Sequence, residues 1–171
     1  MDSSGSSISR GGTSPEKALQ KLKHFCGYQE RCPAEVRQKL YSLGIIKKEV
    51  EGLISRLIEE DYLNEERFAR LFASGKSRIR GWSKQKIRHE LHQKGIAPQW
   101  VSQALATLDN VEYASGFDRL ARKKWEALRG EKNIFVRKNK WQQFLIQRGF
   151  EPAMIRSWAF PPENENGSPP A

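Results

Sequence analysis

The chain has 171 residues, a formal net charge of +10 at pH 7 and an apolar content of 37%. Two cysteines, Cys26 and Cys32, are too few for a disulfide framework, and no apolar run approaches the ~20 residues of a membrane-spanning helix. Residues 1–14 are rich in Ser and Gly and lack the apolar stretch of a signal peptide. We therefore expect a cytoplasmic protein that does not span a membrane.

The positive charge is concentrated beyond the first third of the sequence. The net charge is +1 over residues 1–61, +5 over 62–109 and +6 over 110–160, and the remaining residues carry −2. A basic excess confined in this way favours a polyanionic partner, most simply DNA or RNA. The alternative is that the charge serves only solubility.

A short pattern occurs three times along the chain. Each copy consists of Leu, three variable residues, Gly and an apolar residue, and its glycines are Gly44, Gly95 and Gly149, separated by 51 and 54 residues. Further apolar residues keep the same register before and after each glycine: Val36, Ile87 and Trp141, then Val50, Val101 and Ile155. A period near 50 residues is typical of supersecondary units stacked in tandem.

The spacing of apolar residues is helical in most segments, and no sustained alternation predicts a strand. In chain order the clearest stripes are Val50-Leu53-Ile54-Leu57-Ile58, Phe68-Leu71-Phe72, Trp100-Val101-Ala104-Leu105-Leu108 and Phe117-Leu120-Ala121-Trp125-Leu128. Each repeated glycine predicts a helix C-terminus, because Gly adopts left-handed backbone angles without a Cβ penalty. Pro15, Pro98 and Pro152 each predict the first residue of a helix.

These observations predict an all-α fold, a tandem array of three three-helix repeats that forms an elongated molecule. The repeats are expected at residues 14–61, 62–109 and 110–160. Residues 1–13 and 161–171 have the composition of disordered tails. We expect a monomer.

The start of the second helix is a candidate anion site in the second and third repeats. In the first repeat it reads Cys32-Pro33-Ala34-Glu35, with an acid where the helix dipole prefers one. In the second it reads Ser83-Lys84-Gln85-Lys86-Ile87-Arg88, and in the third we place it near Val136-Arg137-Lys138-Asn139-Lys140. Cations at a positive helix end predict a docked phosphate, held by free backbone N–H groups and lysines. The alternative is an ordinary solvated charged face.

Lys and Arg side chains of the second and third repeats are the candidates for binding nucleic acid. They are Lys76, Arg78, Arg80, Lys84, Lys86, Arg88, Lys123, Lys124, Arg137, Lys138 and Lys140. Trp82 lies among them and could stack on bases. Because Trp82 precedes a candidate N-cap, Ser83, and Ile87 follows it at the staple position, packing is the favoured interpretation. Trp100, Trp125, Trp141 and Trp158 are expected in the core.

Enzyme chemistry has little support in the sequence. His89 and His92 are three residues apart, which is not the spacing of a zinc protease motif, and no third ligand lies nearby. Cys26 and Cys32 do not form a CxxC motif, and a Gly-rich phosphate loop is missing from the sequence. We expect no metal, no cofactor and no catalysis.

The second repeat resembles the RecX family, whose members modulate the bacterial RecA recombinase. The matching residues are Asp61-Tyr62-Leu63-Asn64-Glu65-Glu66-Arg67-Phe68-Ala69, then Gly81, Ile87, Glu90-Leu91 and Lys94-Gly95-Ile96. The resemblance is strongest over 61–108 and extends loosely over 14–160. We interpret Asp61 and Arg67 as an ion pair at the junction of the first two repeats, with a partner contact as the alternative.

The resemblance implies that the array of three-helix repeats is curved, and it also implies a function. It implies a non-catalytic regulator that binds the RecA nucleoprotein filament and inhibits its extension, its ATPase activity and strand exchange, thereby modulating homologous recombination, DNA repair and the SOS response. It also implies some binding to single- or double-stranded DNA. The alternative is an independent helical DNA- or RNA-binding protein that uses its basic second helices as phosphate clamps. A third possibility is a helical scaffold for another acidic protein.

Overall fold

The computed structural model describes residues 13–162, and over that range the chain forms helices joined by short connections, with no β-strand. The helices are α1 (Pro15–Tyr28), α2 (Pro33–Ser42), α3 (Lys47–Glu59), α4 (Glu65–Arg80), α5 (Lys84–Gln93), α6 (Pro98–Ala106), α7 (Asn110–Ala127), α8 (Ile134–Gln147) and α9 (Pro152–Ser157). The all-α prediction is confirmed. The two predicted tails lie almost entirely outside the described residues.

The helices are grouped in threes around separate cores. We call α1–α3 unit 1, α4–α6 unit 2 and α7–α9 unit 3. The core of unit 1 is mainly aliphatic, with Leu22 and Leu57 fully buried. The core of unit 3 is aromatic, and the rings of Trp141 and Trp158 stack with centroids 4.8 Å apart. Since each unit buries its own apolar residues, the chain is a tandem series of three-helix domains, as the repeat predicted.

The repeated pattern of Leu, Gly and an apolar residue is a helix stop. Gly44, Gly95 and Gly149 have φ of 78°, 74° and 80°, which is the left-handed region. The residue after each glycine donates its N–H to the carbonyl of the repeated Leu, as Ile45 does to Leu40 over 3.1 Å. This is the Schellman motif, in which the apolar residue and the Leu also pack together. The pattern thus ends the second helix of every unit in the same way.

Unit 1 meets unit 2 through the start of α2; we call this contact joint 1. Cys32, the N-cap of α2, is fully buried within the core of unit 2. Glu35 Oε1 lies 2.9 Å from Lys94 Nζ, and Arg67 Nε lies 2.6 Å from Glu30 Oε1. Arg67 Nη1 also lies 3.0 Å from Asp61 Oδ1. The interpretation of Asp61 and Arg67 as a structural ion pair is confirmed.

Unit 2 meets unit 3 in the equivalent way, at joint 2. Ser83, the N-cap of α5, is buried and donates its hydroxyl to the carbonyl of Arg148 over 2.7 Å. Cys32 and Ser83 hold the same repeat position, and so do Lys94 and Arg148, which directly precede a Schellman glycine. The start of the second helix in one unit therefore docks on the end of the second helix in the next.

Helix α8 departs from this pattern at its N-terminus. It has 14 residues where α2 and α5 have 10, which adds about one turn. Its N-cap is Asn133, whose side chain accepts hydrogen bonds from the N–H groups of Phe135 and Val136. Its predicted start near Val136 was therefore wrong by two residues. The repeat pattern starts after the additional turn of α8, so it gave no indication of that turn.

Candidate nucleic-acid interface

The cations at the end of α4 and in α5 gather around one aromatic side chain. Lys76 Nζ and Lys86 Nζ lie 5.0 and 4.3 Å from the centroid of the Trp82 ring, within cation–π range. Trp82 meets Phe72 edge-on at 6.3 Å and packs against the core of unit 2, which contains Ile87. The favoured packing interpretation of Trp82 is confirmed. Two of the predicted binding cations, Lys76 and Lys86, therefore lie close to this ring.

The prediction that the start of α5 binds a phosphate is wrong, because the backbone N–H groups of Lys84 and Lys86 already have partners. The backbone N–H of Lys84 donates to the Tyr113 hydroxyl over 3.1 Å, and that of Lys86 donates to Ser83 Oγ over 3.2 Å. Unit 3 covers this end of the helix so closely that a Cβ on Gly149 would lie 2.9 Å from Gln85 Oε1. The helix end that was expected to hold an anion is used for joint 2.

Tyr113 is the link that occupies this helix end. Its hydroxyl accepts the Lys84 N–H and donates to Glu151 Oε2 over 2.9 Å. Burial, with the hydrogen bond to the Glu151 carboxylate, raises the pKa of Tyr113 far above its usual range. The Lys84 Nζ lies 4.9 Å from the centroid of the same ring. The hydroxyl therefore stays protonated, and it links the start of α5 in unit 2 to Glu151 in unit 3.

Arg137 does not lie on the surface where the sequence placed it. It is 9% exposed, its Nη2 donates to the carbonyl of Trp125 over 2.9 Å, and its guanidinium lies 3.8 Å from the Trp125 ring centroid. In the repeat register it is the counterpart of Cys32 and Ser83, which are also buried. Arg137 is a core residue of unit 3, and we exclude it from the candidate interface.

The other predicted cations of unit 3 are accessible. Lys123 and Lys138 are exposed, and Lys138 Nζ lies 5.0 Å from the Phe160 ring centroid. Lys140 is exposed but lies 2.7 Å from a carboxylate oxygen of Glu131. Its charge is therefore partly compensated within unit 3.

Lys124 has a neighbour that the sequence did not indicate. Lys124 Nζ and the Arg148 guanidinium lie 4.7 and 4.8 Å from the centroid of the Phe144 ring. Arg148 was missed because it belongs to the helix-stop pattern, which is typical of a structural role. The available signal was its spacing: Arg148 follows Phe144, in the last turn of α8, by four residues and therefore lies on the same side of the helix end.

Most of these cations are free to meet an external anion. Within residues 13–162, no carboxylate forms an ion pair with nine of the predicted binding residues, which are Lys76, Arg78, Arg80, Lys84, Lys86, Arg88, Lys123, Lys124 and Lys138. In contrast, Lys23, Arg37 and Arg56 of unit 1 each pair with a glutamate. Unit 1 also has lysines without an ion pair within that range, such as Lys17, Lys21 and Lys47, so the excess positive charge of units 2 and 3 is a matter of net charge: +5 over residues 62–109 and +6 over 110–160, against +1 over 1–61.

The structure offers little for catalysis in the part of the chain that it describes. Between residues 13 and 162, no three or more His, Cys, Asp or Glu side chains are grouped so that they could hold a metal ion. Cys26 and Cys32 are buried free thiols, and burial raises the pKa of both, that of Cys26 to about 11. These thiols are protonated at neutral pH and are poor nucleophiles. No helix in the same range is long and apolar enough to cross a bilayer.

The fold and the surface together define a helical-repeat protein with an excess of positive charge on two of its three units. Comparison with known proteins gives the family. Residues 64–105 match the profile described as the second three-helix domain of RecX, and residues 117–158 match the profile of its third three-helix domain.

Similar proteins of known sequence and structure agree with these matches. The chain is 31% identical over 140 residues to the regulatory protein RecX of Prosthecochloris aestuarii, covering 82% of this chain and 89% of that one. It is 34% identical over 144 residues to RecX of Escherichia coli strain SE11, covering 78% and 84%. The crystal structure of RecX from Lactobacillus salivarius superposes with a TM-score of 0.74 at 24% identity, over 84% of this chain and 92% of that one. The chain belongs to the RecX family of regulatory proteins.

Proposed function

We propose that this protein binds the RecA nucleoprotein filament and inhibits its extension, its ATP hydrolysis and strand exchange. In this way it would modulate homologous recombination, DNA repair and the SOS response, acting as a monomer in the cytoplasm and without catalysis of its own. The observation that carries the proposal is membership of the RecX family, with relatives named regulatory proteins that align over most of the chain.

The distribution of charge supports a partner that contains DNA. A filament assembled on DNA carries phosphates, and the unpaired cations of units 2 and 3 suit such a surface. Two units that bind the same filament act as linked sites, so their individual contributions multiply in the overall affinity. Lys76, Lys86, Lys124 and Lys138 each lie beside an aromatic ring, which limits the directions in which their charges can point.

RecA-dependent ATP hydrolysis on single-stranded DNA tests the proposal. The full-length protein is titrated into the assay at two salt concentrations. We expect inhibition at well below one molecule per RecA protomer, persisting at the higher salt. Unchanged hydrolysis at a molar excess of this protein would contradict the proposal.

The alternative function, an independent nucleic-acid-binding protein, has weaker support. Its mechanism required phosphate clamps at the starts of the second helices, and joint 2 occupies the start of α5. Its exposed cations could still bind phosphates without a protein partner. In that case inhibition would appear only when enough protein is present to coat the DNA. It would disappear at higher salt, since phosphate binding weakens steeply with ionic strength.

A further inference from the structure

A cleft of about 670 Å³ lies across joint 1, between the connection from α1 to α2 and the exposed side of α4. Along α4 its lining includes Leu71, Gly75 and Ile79, which are four residues apart and therefore lie on one face of the helix. This stripe is about 12 Å long at the rise of an α-helix. Leu71 is 53% exposed and Ile79 is 75% exposed. The sequence predicted Leu71 as part of an apolar helical stripe with Phe68 and Phe72, and the structure buries Phe68 but leaves Leu71 exposed.

The charges around the cleft are not balanced. Lys76 and Arg80 line it near the C-terminal end of α4, and no carboxylate in residues 13–162 forms an ion pair with either. Glu30 and Glu35 line the opposite side, but Arg67 and Lys94 already neutralise them. The remaining charge at the end of the apolar stripe is therefore mainly positive, even though Glu90 also contributes to the lining.

We propose that this cleft binds a short segment of the recombinase protein that presents an apolar side chain beside a carboxylate. The apolar group would lie on Leu71 and Ile79, over Gly75, and the carboxylate would meet Lys76 and Arg80. Nucleic acid fits the cleft less well, because a phosphate backbone would gain nothing from the apolar stripe of Leu71 and Ile79. The inference rests on the proposed function. It assigns the contact with the recombinase to the cleft at joint 1, and the contact with DNA to basic side chains outside the cleft.

Gly75 provides the sharpest test. A Cβ at this position meets no atom within 4 Å, and its helical backbone angles suit any L residue, so Gly75→Leu is compatible with the fold and fills the cleft. Gly52 is the matched control, since it also lies within a helix with nothing within 4 Å but is outside the cleft lining. The second pair is Leu71→Asp with Ile58→Asp as its control, because Leu71 and Ile58 are equally exposed at 53%.

The measurements are binding of each full-length variant to RecA assembled on poly(dT) and, separately, to poly(dT) alone. We expect G75L and L71D to bind the filament at least tenfold more weakly and to bind poly(dT) as the wild type does. G52L and I58D should be unchanged in both assays. Thermal unfolding checks that all four variants are folded; a leucine is favoured over a glycine inside a helix, so G75L should melt no lower than the wild type.

Three results would overturn the inference. Wild-type affinity of both G75L and L71D for the filament would show that the cleft is not the contact. An equal loss of binding to poly(dT) alone would make the cleft a nucleic-acid site. Failure of the wild-type protein to bind the filament at all would refute the proposed function and, with it, the assignment of this cleft. The first two outcomes leave the proposed function intact.

Discussion

At the scale of single residues, two separate constraints favour glycine at position 149: the backbone angle and the close approach of unit 2. Its φ of 80° places it in the left-handed region, and the Ser83 hydroxyl and Gln85 side chain approach it from unit 2. Gly95 has a similar φ of 74°, but a Cβ at that position would have no atom within 4 Å. Comparing these two glycines separates the cost of the backbone angle from the cost of the contact at joint 2.

Replacement of each glycine by alanine should therefore have different effects. Gly95→Ala should lower the free energy of unfolding by about 1–2 kcal/mol, the cost of a left-handed L residue. Gly149→Ala should cost about 1–3 kcal/mol more, because its Cβ would lie 3.0 Å from Ser83 Oγ and 3.2 Å from Gln85 Cβ. Urea unfolding of both variants measures the difference. Equal losses of unfolding free energy in the two variants would mean that joint 2 accommodates the added methyl group at no energetic cost.

The Glu35 and Lys94 pair makes joint 1 sensitive to acid. Burial by itself would raise the pKa of Glu35. The hydrogen bond from Lys94, the hydrogen bond from the Cys32 backbone N–H and the charge of Lys94 together outweigh it and hold that pKa below its ordinary value of 4.5. In the folded state the carboxylate is thus harder to protonate than in the unfolded chain. The pair stabilises the fold above pH 4.5, and this contribution is lost as the pH falls through the lowered pKa.

Glu35→Gln isolates this contribution. We expect the wild type to be more stable than E35Q at pH 7 and the difference between them to shrink as the pH is lowered from about 5 towards about 3. Other carboxylates titrate in both proteins and cancel in the comparison. Thermal or urea unfolding of the two proteins across that range is the measurement. A difference that stays constant with pH would contradict the role of this ion pair.

At the scale of elements, the starts of the second helices are the parts of the structure that local sequence described least well. The ends of these helices were predictable, because the Schellman motif needs only Leu, Gly and an apolar residue within a short span. The starts depend on the neighbouring unit: Cys32 enters the core of unit 2, and Ser83 bonds to Arg148. A basic sequence at a helix start indicated an anion site, whereas Tyr113, 29 residues away from Lys84, takes that place.

The third unit shows the same limit. The repeat register places Arg137 where Cys32 and Ser83 are buried, and that register would have predicted burial more accurately than its charge did. The core of unit 3 accepts an arginine because the Trp125 ring and carbonyl receive the guanidinium. In the same way, exposure of Leu71 and Ile79 could not be inferred from a helical stripe, since it depends on how units 1 and 2 leave a cleft between them.

Arg137 and Lys138 are neighbours in α8 with opposite expected roles. Arg137→Met should lower the free energy of unfolding by about 1–3 kcal/mol, because a buried hydrogen-bond donor is lost. Lys138→Met should change stability by no more than about 0.5 kcal/mol and should weaken binding to single-stranded DNA. Urea unfolding and a DNA-binding titration on both variants make the comparison. Loss of DNA affinity in R137M without loss of stability would restore Arg137 to the interface.

At the scale of the whole molecule, the three units share one architecture, with the same helix stop in each unit and two equivalent joints between them. Their net charges, however, differ. Unit 1 has a net charge near zero over its sequence and pairs several of its cations internally. Residues 62–109 and 110–160, which contain units 2 and 3, carry net charges of +5 and +6. If the partner includes DNA, the contacts with phosphate should therefore come from the later units, and the salt dependence of binding should report them.

Two triple variants test this division of roles. Replacing Lys123, Lys124 and Lys138 by Gln should weaken binding to single-stranded DNA and reduce the slope of log affinity against log salt by about 0.7 for each lost phosphate contact. Replacing the exposed lysines of unit 1, Lys17, Lys21 and Lys47, by Gln removes the same charge and should leave the slope nearly unchanged. Equal slopes in the two variants would mean that net charge alone governs DNA binding. A reduced slope confined to the first variant would locate the phosphate contacts in unit 3, which joint 2 separates from the unit that carries the apolar cleft.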